Sequence, residues 1–379
     1  MRSLYPARGE VLIRNQPATT ALLSLEDAGE WRDVLRDCTR HDVYHTPEYH
    51  TVAESQQGGR ARLFVMRRGG QVCALPFLIQ DVRGLPWLRD VTCFDGTSVY
   101  GYGGPVCSLQ GADPALAMEF GNSLRATLRE QGIISLFCRL HPLIESEWLL
   151  TDVGQVVRQG TTVSIPLDTA STVDEFAAMM STSHRYDVRR LRSAGVVVEE
   201  DVQFSMLADF IAAYHQTMRR NQASQWYFFD VQYFESLRAA LGDRLRLFVA
   251  RSAAGEFMSA TLTFICGDIM QYHLAGTPDQ FRRDSASKLI LAELAVWGAQ
   301  RGFRHFHLGG GLGASDEDGL FRFKQGFSSR THAFRVFRLV VLQKVYDHLC
   351  ELRRQALGMI RDHPAQPYFP LYRAPAAAN

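Results

Sequence analysis

The sequence predicts an α+β protein built from two similar lobes, and three observations lead there. The chain has 379 residues, beyond the size at which one hydrophobic core usually keeps growing, so two domains or fused lobes are expected. The order helix, strand meander, helix, strand occurs twice, in stretches of comparable length. No dinucleotide-binding unit competes with this reading. Gly309, Gly311 and Ala314 match its spacing, but Ser315-Asp316-Glu317-Asp318-Gly319 puts three acids where a pyrophosphate would sit.

In the first stretch, 26–39 has helical spacing and Pro47 opens a helix over 47–56, where a proline loses no needed hydrogen bond. The runs 62–66 and 72–77 flank Gly69-Gly70 and read as a hairpin. Thr97-Ser98-Val99-Tyr100-Gly101-Tyr102-Gly103-Gly104-Pro105 is a loop whose two tyrosines either face a pocket or staple an ordinary turn. A helix over 115–131 and a strand over 133–137 follow. In the second stretch, a helix opens at 172–176 and a basic helix over 184–193 ends at Ala194-Gly195. Helices over 204–219 and 230–241 precede a meander over 245–250, 256–264 and 269–274, then a helix over 287–300 and a strand over 303–308. The lobes are bounded at 1–160 and 161–363, with 364–379 a proline-bearing aromatic tail docked against a lobe.

Composition narrows the function. With 46% hydrophobic and 21% charged residues the chain reads as a soluble globular enzyme. A formal charge of +1 argues against a broad nucleic-acid footprint, and no DNA partner is expected. The seven cysteines form no close metal-ligand pair and are too sparse for a disulfide scaffold, so neither a metal nor an oxidising compartment is indicated. Arg2, Arg8, Glu10 and Arg14 interrupt the start of the chain, which favours a cytoplasmic protein with no signal peptide or integral membrane segment.

Chemistry concentrates at two places. The first pairs His307-Leu308-Gly309-Gly310-Gly311 with Leu320-Phe321-Arg322-Phe323-Lys324-Gln325-Gly326-Phe327. Lys324 there suits stabilisation of the oxyanion that develops when an amine attacks an acyl group. Its ordinary alternative is a surface lysine paired with Asp316, Glu317 or Asp318. The second is Arg185, Arg189 and Arg192, which gather on one helical face beside Tyr186 and can hold phosphates or form a solvated surface. His305 and His307 share a strand face and read as core or pocket-lining histidines rather than metal ligands. No glycine-flanked serine elbow is present.

Several of these segments together resemble the FemABX family of peptidoglycan-bridge aminoacyltransferases, within the broader FemAB-like acetyltransferase-fold group. They are His41-Asp42-Val43-Tyr44-His45-Thr46-Pro47-Glu48-Tyr49-His50, Tyr100-Gly101-Tyr102-Gly103-Gly104-Pro105, His184-Arg185-Tyr186-Asp187-Val188-Arg189-Arg190, Leu308-Gly309-Gly310 and Phe323-Lys324-Gln325-Gly326-Phe327. The resemblance implies two fused acetyltransferase-like lobes with mixed central sheets. It implies aminoacyl-tRNA as donor, a UDP-linked muramyl peptide as amine acceptor and no tightly bound cofactor. Lys324 matches the family lysine that follows a phenylalanine and is the catalytic candidate. Tyr100, Tyr102, Arg185, Arg189, Tyr272 and Phe323 are the substrate-binding candidates, and no general-base carboxylate is assigned. Similar double-lobed proteins, some of them from exopolysaccharide systems, imply an alternative, an N-acyltransferase using acyl-coenzyme A or another activated acyl donor. A noncatalytic scaffold is the alternative of another class.

Overall fold

The computed structural model describes residues 17–85, 87–88, 93–311, 318–357 and 368–375. The residues before 17 and the stretch from Ala314 to Glu317 lie outside this set.

The repeat seen in the sequence is a repeat of topology. In the first half β1 (Thr19–Leu23), β2 (Arg60–Arg68), β3 (Gln71–Asp81) and β4 (Phe94–Thr97) form an antiparallel meander, with the short β5 (Val106–Cys107) against β3. Helix α3 (Pro114–Glu130) then crosses to β6 (Ile133–Arg139), which lies parallel to β4. In the second half β8 (Val197–Glu200), β9 (Leu245–Arg251), β10 (Phe257–Cys266) and β11 (Ile269–Gly276) form the meander. Helix α8 (Ala286–Gln300) crosses to β12 (His305–Gly310), parallel to β11.

The two halves are joined by an exchange of strands. After β6 the chain runs into β7 (Gln155–Pro166), which leaves its own half and pairs with β12 of the other. Near the end β13 (Thr331–Val340) returns and lies between β6 and β7. Among the described residues the result is one sheet in the order β1-β2-β3-β4-β6-β13-β7-β12-β11-β10-β9-β8. A boundary at residue 160 therefore falls inside β7, and the strand 331–340 belongs spatially to the junction. Residues 368–375 pack on the first half, where Tyr372 and Arg373 bind the buried Asp95 carboxylate at 2.9 and 2.8 Å.

Alternating side chains of each strand feed different cores. On one face, Leu63, Val65, Leu245, Leu247 and Val249 join α1 (Ala28–Asp37), α2 (Pro47–Gln57), α6 (Leu207–Arg220) and α7 (Val231–Leu241) in a core common to both halves. On the other face, Phe64 and Met66 pack under α3, whereas Phe248 and Ala250 pack under α4 (Val173–Met179), α5 (Thr182–Ser193) and α8. Two ion pairs also cross the junction: Arg40 with Asp268 at 2.8 Å and Glu48 with Arg244 at 3.0 Å. No described helix is long and apolar enough to cross a membrane.

Phe337 on β13 is fully buried, and a Cβ on Gly154 would come within 2.5 Å of its ring. Phe337→Ala is expected to lower stability by about 3 to 5 kcal/mol. Because β13 is shared, the wild type should melt in one transition by both far-UV and near-UV circular dichroism. Two separated transitions would contradict the exchanged-strand account.

Candidate functional site

The parallel pair β11 and β12 holds register over only three positions, Ile269 with His305, Met270 with Phe306 and Gln271 with His307. Beyond that point β11 continues along β10 as far as Gly276, while β12 stays paired with β7 alone, through an irregularity between His307 and Gly309. The strands part, and four elements put side chains or backbone at the opening. Tyr272 comes from β11, Gly309 and Gly310 from the end of β12, Tyr102 from the first-half loop, and Lys324 from α9 (Gly319–Gln325).

Helix α9 is short, and its start is fixed by Asp318, whose Oδ1 accepts the Leu320 and Phe321 amides at 2.6 and 3.0 Å. Phe321 and Lys324 are three residues apart and so share its buried face. Phe323 points the other way and packs on the rings of His184 and Phe327, with centroids 5.5 and 5.2 Å away. Its carbonyl accepts the His184 imidazole, Nε2 to O 2.9 Å, which ties α9 to α5. Phe323 thus holds the helix in place from behind the lysine.

Lys324 is 7% exposed. Its Nζ donates to the Gly310 carbonyl at 2.6 Å and lies 5.9 Å from the centre of the Tyr272 ring. The amide of Gly310 donates to Tyr102 Oη at 3.3 Å, so the backbone of one residue fixes both the phenol and the amine. Gly309 makes room for this convergence. Its φ is +76°, and a Cβ there would stand 3.0 Å from Tyr102 Oη and 3.3 Å from Lys324 Nζ. Burial pushes the Lys324 amine down to about 7, with the Asp318 carboxylate partly opposing the shift. The lysine is thus buried rather than on the surface, and its alternative partners Asp316 and Glu317 lie outside the described residues.

Behind Tyr102 lies a buried polar chain that crosses the junction. Asp42 Oδ2 accepts His141 Nε2 at 2.9 Å and Gln271 Nε2 at 2.6 Å, and Gln271 Oε1 meets His307 Nδ1 at 2.8 Å. The Tyr102 ring stands edge-on to His307, centroids 4.8 Å apart. The sequence reading took His307 as core or pocket-lining and did not single out Asp42, His141 or Gln271. Their positions, 42, 141, 271 and 307, carry no spacing signal: strand pairing joins Gln271 to His307, and tertiary packing brings Asp42 from a turn and His141 from the loop after β6.

The other candidates distribute unevenly. Tyr102 and Tyr272 meet Lys324 as described, whereas Tyr100 is packed among Trp226, Tyr227, Phe229 and His273 with centroid distances of 4.9 to 6.2 Å. Arg185 and Arg189 lie on the outer side of α5, opposite the buried His184, Val188 and Leu191. Arg190 and Arg192 are engaged by Asp187, Asp284 and Asp174. Among the described residues no group of three or more His, Cys, Asp or Glu is placed to hold a metal.

With this geometry in view, comparison with known proteins gives a consistent picture. A model of the acetyltransferase (GNAT) domain matches residues 179–325, from the end of α4 through Lys324 to the end of α9. The crystal structure of FemX superposes with a TM-score of 0.65 at 15% identity, covering 87% of this chain and 99% of that one. L-PGS from Bacillus licheniformis gives 0.52 at 13% identity, covering 88% and 97%. A DUF2156 C-terminal domain from Agrobacterium fabrum, whose protein is described as a lysylphosphatidylglycerol synthetase, gives 0.51 at 13% identity, covering 88% and 98%. No curated protein matches the chain by sequence. The fold is a tandem of GNAT-like lobes with a mixed sheet, and the domain match covers the half that carries Lys324.

Two outcomes follow from the site. Gly309→Ala strains the left-handed backbone and drives a methyl between Tyr102 and Lys324, so activity should fall at least about 10-fold with the fold retained. Between about 7 and the ordinary lysine range, the unfolded chain holds a proton that the folded one has lost, so this group makes stability rise with pH. Lys324→Met removes the buried charge. Below pH 7 its melting temperature should match or exceed that of the wild type, and it should lose this part of the pH dependence. A lower melting temperature there would show that the ammonium is not destabilised by burial.

Proposed function

We propose that this protein is an N-acyltransferase that moves an aminoacyl group from the ester of aminoacyl-tRNA to an amine of a UDP-linked muramyl peptide. The observation that carries the reading is Lys324, buried where β11 and β12 part and held on the Gly310 carbonyl. The amine attacks the ester carbonyl, negative charge develops on its oxygen, and the ribose hydroxyl leaves. A donor fixed beside that oxygen stabilises the transition state more than the ground state. An amine that titrates near 7 is suited to this, because the developing oxyanion itself draws it toward the charged form. Tyr102 and Tyr272 wall the opening. Arg185 and Arg189 face outward on α5, and the family resemblance alone assigns them to the acceptor's diphosphate. The likeness of nearly the whole of FemX to this fold supports the aminoacyl version.

A second reading, transfer from acyl-coenzyme A, is favoured by the acetyltransferase-domain match over 179–325. A product-resolved assay separates them. Charged tRNA and acyl-coenzyme A are each offered with a UDP-muramyl peptide, and with phosphatidylglycerol vesicles because of the synthetase likeness. Aminoacylated muramyl peptide formed only from charged tRNA is the expected result. Exclusive use of acyl-coenzyme A would overturn the donor assignment, and no transfer in any arm would favour a binding scaffold.

With the productive pair, Lys324→Ala should lower turnover by roughly 100- to 1000-fold with KM nearly unchanged. The wild-type kcat/KM should fall as pH rises through about 7, since the cation is the form lost. Arg185→Ala and Arg189→Ala should instead raise KM for the acceptor.

A further inference from the structure

The buried chain from Asp42 to His307 fixes the tautomer of each imidazole in it. The Leu143 amide donates to His141 Nδ1 at 3.1 Å, so the proton of His141 is on Nε2 and is donated to Asp42 Oδ2. The Gln271 amide group also donates to Asp42 Oδ2, which turns the Gln271 carbonyl toward His307. A carbonyl only accepts, so His307 must carry its proton on Nδ1. Its Nε2 is left with a bare lone pair, buried and without a hydrogen-bond partner among the described residues.

Such an orphan is costly in a protein interior and calls for an explanation. It does not stand alone. Thr162 Oγ1 is also buried and unpartnered, and Thr162 is the strand neighbour of Gly310, whose backbone holds Lys324 and Tyr102. His307 and Thr162 project from the same sheet face, His307 lying opposite Ser164. Burial first, and then the nearby His141, Lys324, His332 and His305, oppose protonation of His307 at rest, and Tyr102 stands edge-on to it. A neutral imidazole with an open Nε2, beside a lysine suited to an oxyanion, is a complementary pair.

We propose that His307 Nε2 receives the attacking amine, orients it by accepting one N–H, and takes that proton as the amide bond forms. The assignment rests on the acyl-transfer reading above. In the step, the amine nitrogen bonds to the acyl carbon and the carbon–oxygen bond of the ester breaks. The amine's proton passes to Nε2 and then to the departing oxygen, so the imidazole is regenerated. Asp42 and Gln271 are positioning residues that hold the tautomer.

Nitrogen-15 spectra of histidine-labelled full-length protein test the tautomer without any substrate. His307, identified by the signal missing in His307→Gln, should show a protonated Nδ1 and a free Nε2. In Gln271→Leu that preference should be lost. In the assay above, His307→Gln should keep KM within about threefold and lose roughly 100- to 10,000-fold in kcat. Gln271→Leu should lose less, in step with its tautomer mixture. A protonated Nε2 in the wild type, or undiminished turnover in His307→Gln beside an inactive Lys324→Ala, overturns the role of His307 and leaves acyl transfer standing. Absence of transfer by the wild type overturns acyl transfer and this step with it. If His307→Gln fails to fold, full activity in a folded Gln271→Leu with a randomised tautomer overturns the proposal.

Discussion

Strand β13 hydrogen-bonds to β6 on one side and β7 on the other, and β7 in turn pairs with β12. Neither half can complete its sheet without a strand from the other. This pairing makes the sheet continuous, and it sets the distance between the first-half loop at Tyr102 and the second-half helix at Lys324. Without it, the Gly310 backbone could not hold a phenol from one half and an amine from the other. The common core under α1, α2, α6 and α7 follows from the same join, because it lets the helices of both halves cover one uninterrupted face.

The site uses this join to solve an electrostatic problem. A lysine buried in apolar surroundings loses solvation and releases its proton more readily. Lys324 nevertheless keeps one acceptor, the Gly310 carbonyl, while the nearby Asp318 carboxylate partly opposes the downward shift that burial causes. Opposite it, the Asp42-Gln271-His307 chain is made of hydrogen bonds whose direction is fixed at each link. Its members come from both halves. The polar chain is thus set by the same exchange of strands that forms the sheet.

Much of the fold was legible in the residues. Pro47, Gly69-Gly70 and Gly195 marked boundaries that the structure keeps within a residue or two, since turn and cap geometry is a local matter. The meanders at 245–276 and 60–81 were visible as apolar runs between such signals. Strands β7 and β13 were not assigned, although they sit in the middle of the sheet. Gly160 with Thr161-Thr162 in one, and Arg335 and Arg338 in the other, break the apolar pattern. Their polar residues are accommodated at the junction, as where Arg335 pairs with Glu147 at 2.8 Å and Ser164 with His332 at 2.7 Å.

The sequence by itself determined the α+β class and the twofold rhythm of elements, and it set Lys324 after Phe323 beside a glycine-rich strand end, with a surface lysine as the open alternative. Those features depend on local backbone preference and on which residue types stand next to one another. Only the tertiary structure decided that the halves exchange strands, that Tyr100 belongs to an aromatic core while Tyr102 reaches the site, and that Arg185 and Arg189 face outward on α5. It alone placed Asp42, His141, Gln271 and His307 in one hydrogen-bonded chain. Long-range strand register pairs Gln271 with His307, and the packing of the first-half turn and loop adds Asp42 and His141; both are set by the packing of whole faces rather than by any signal within a short window.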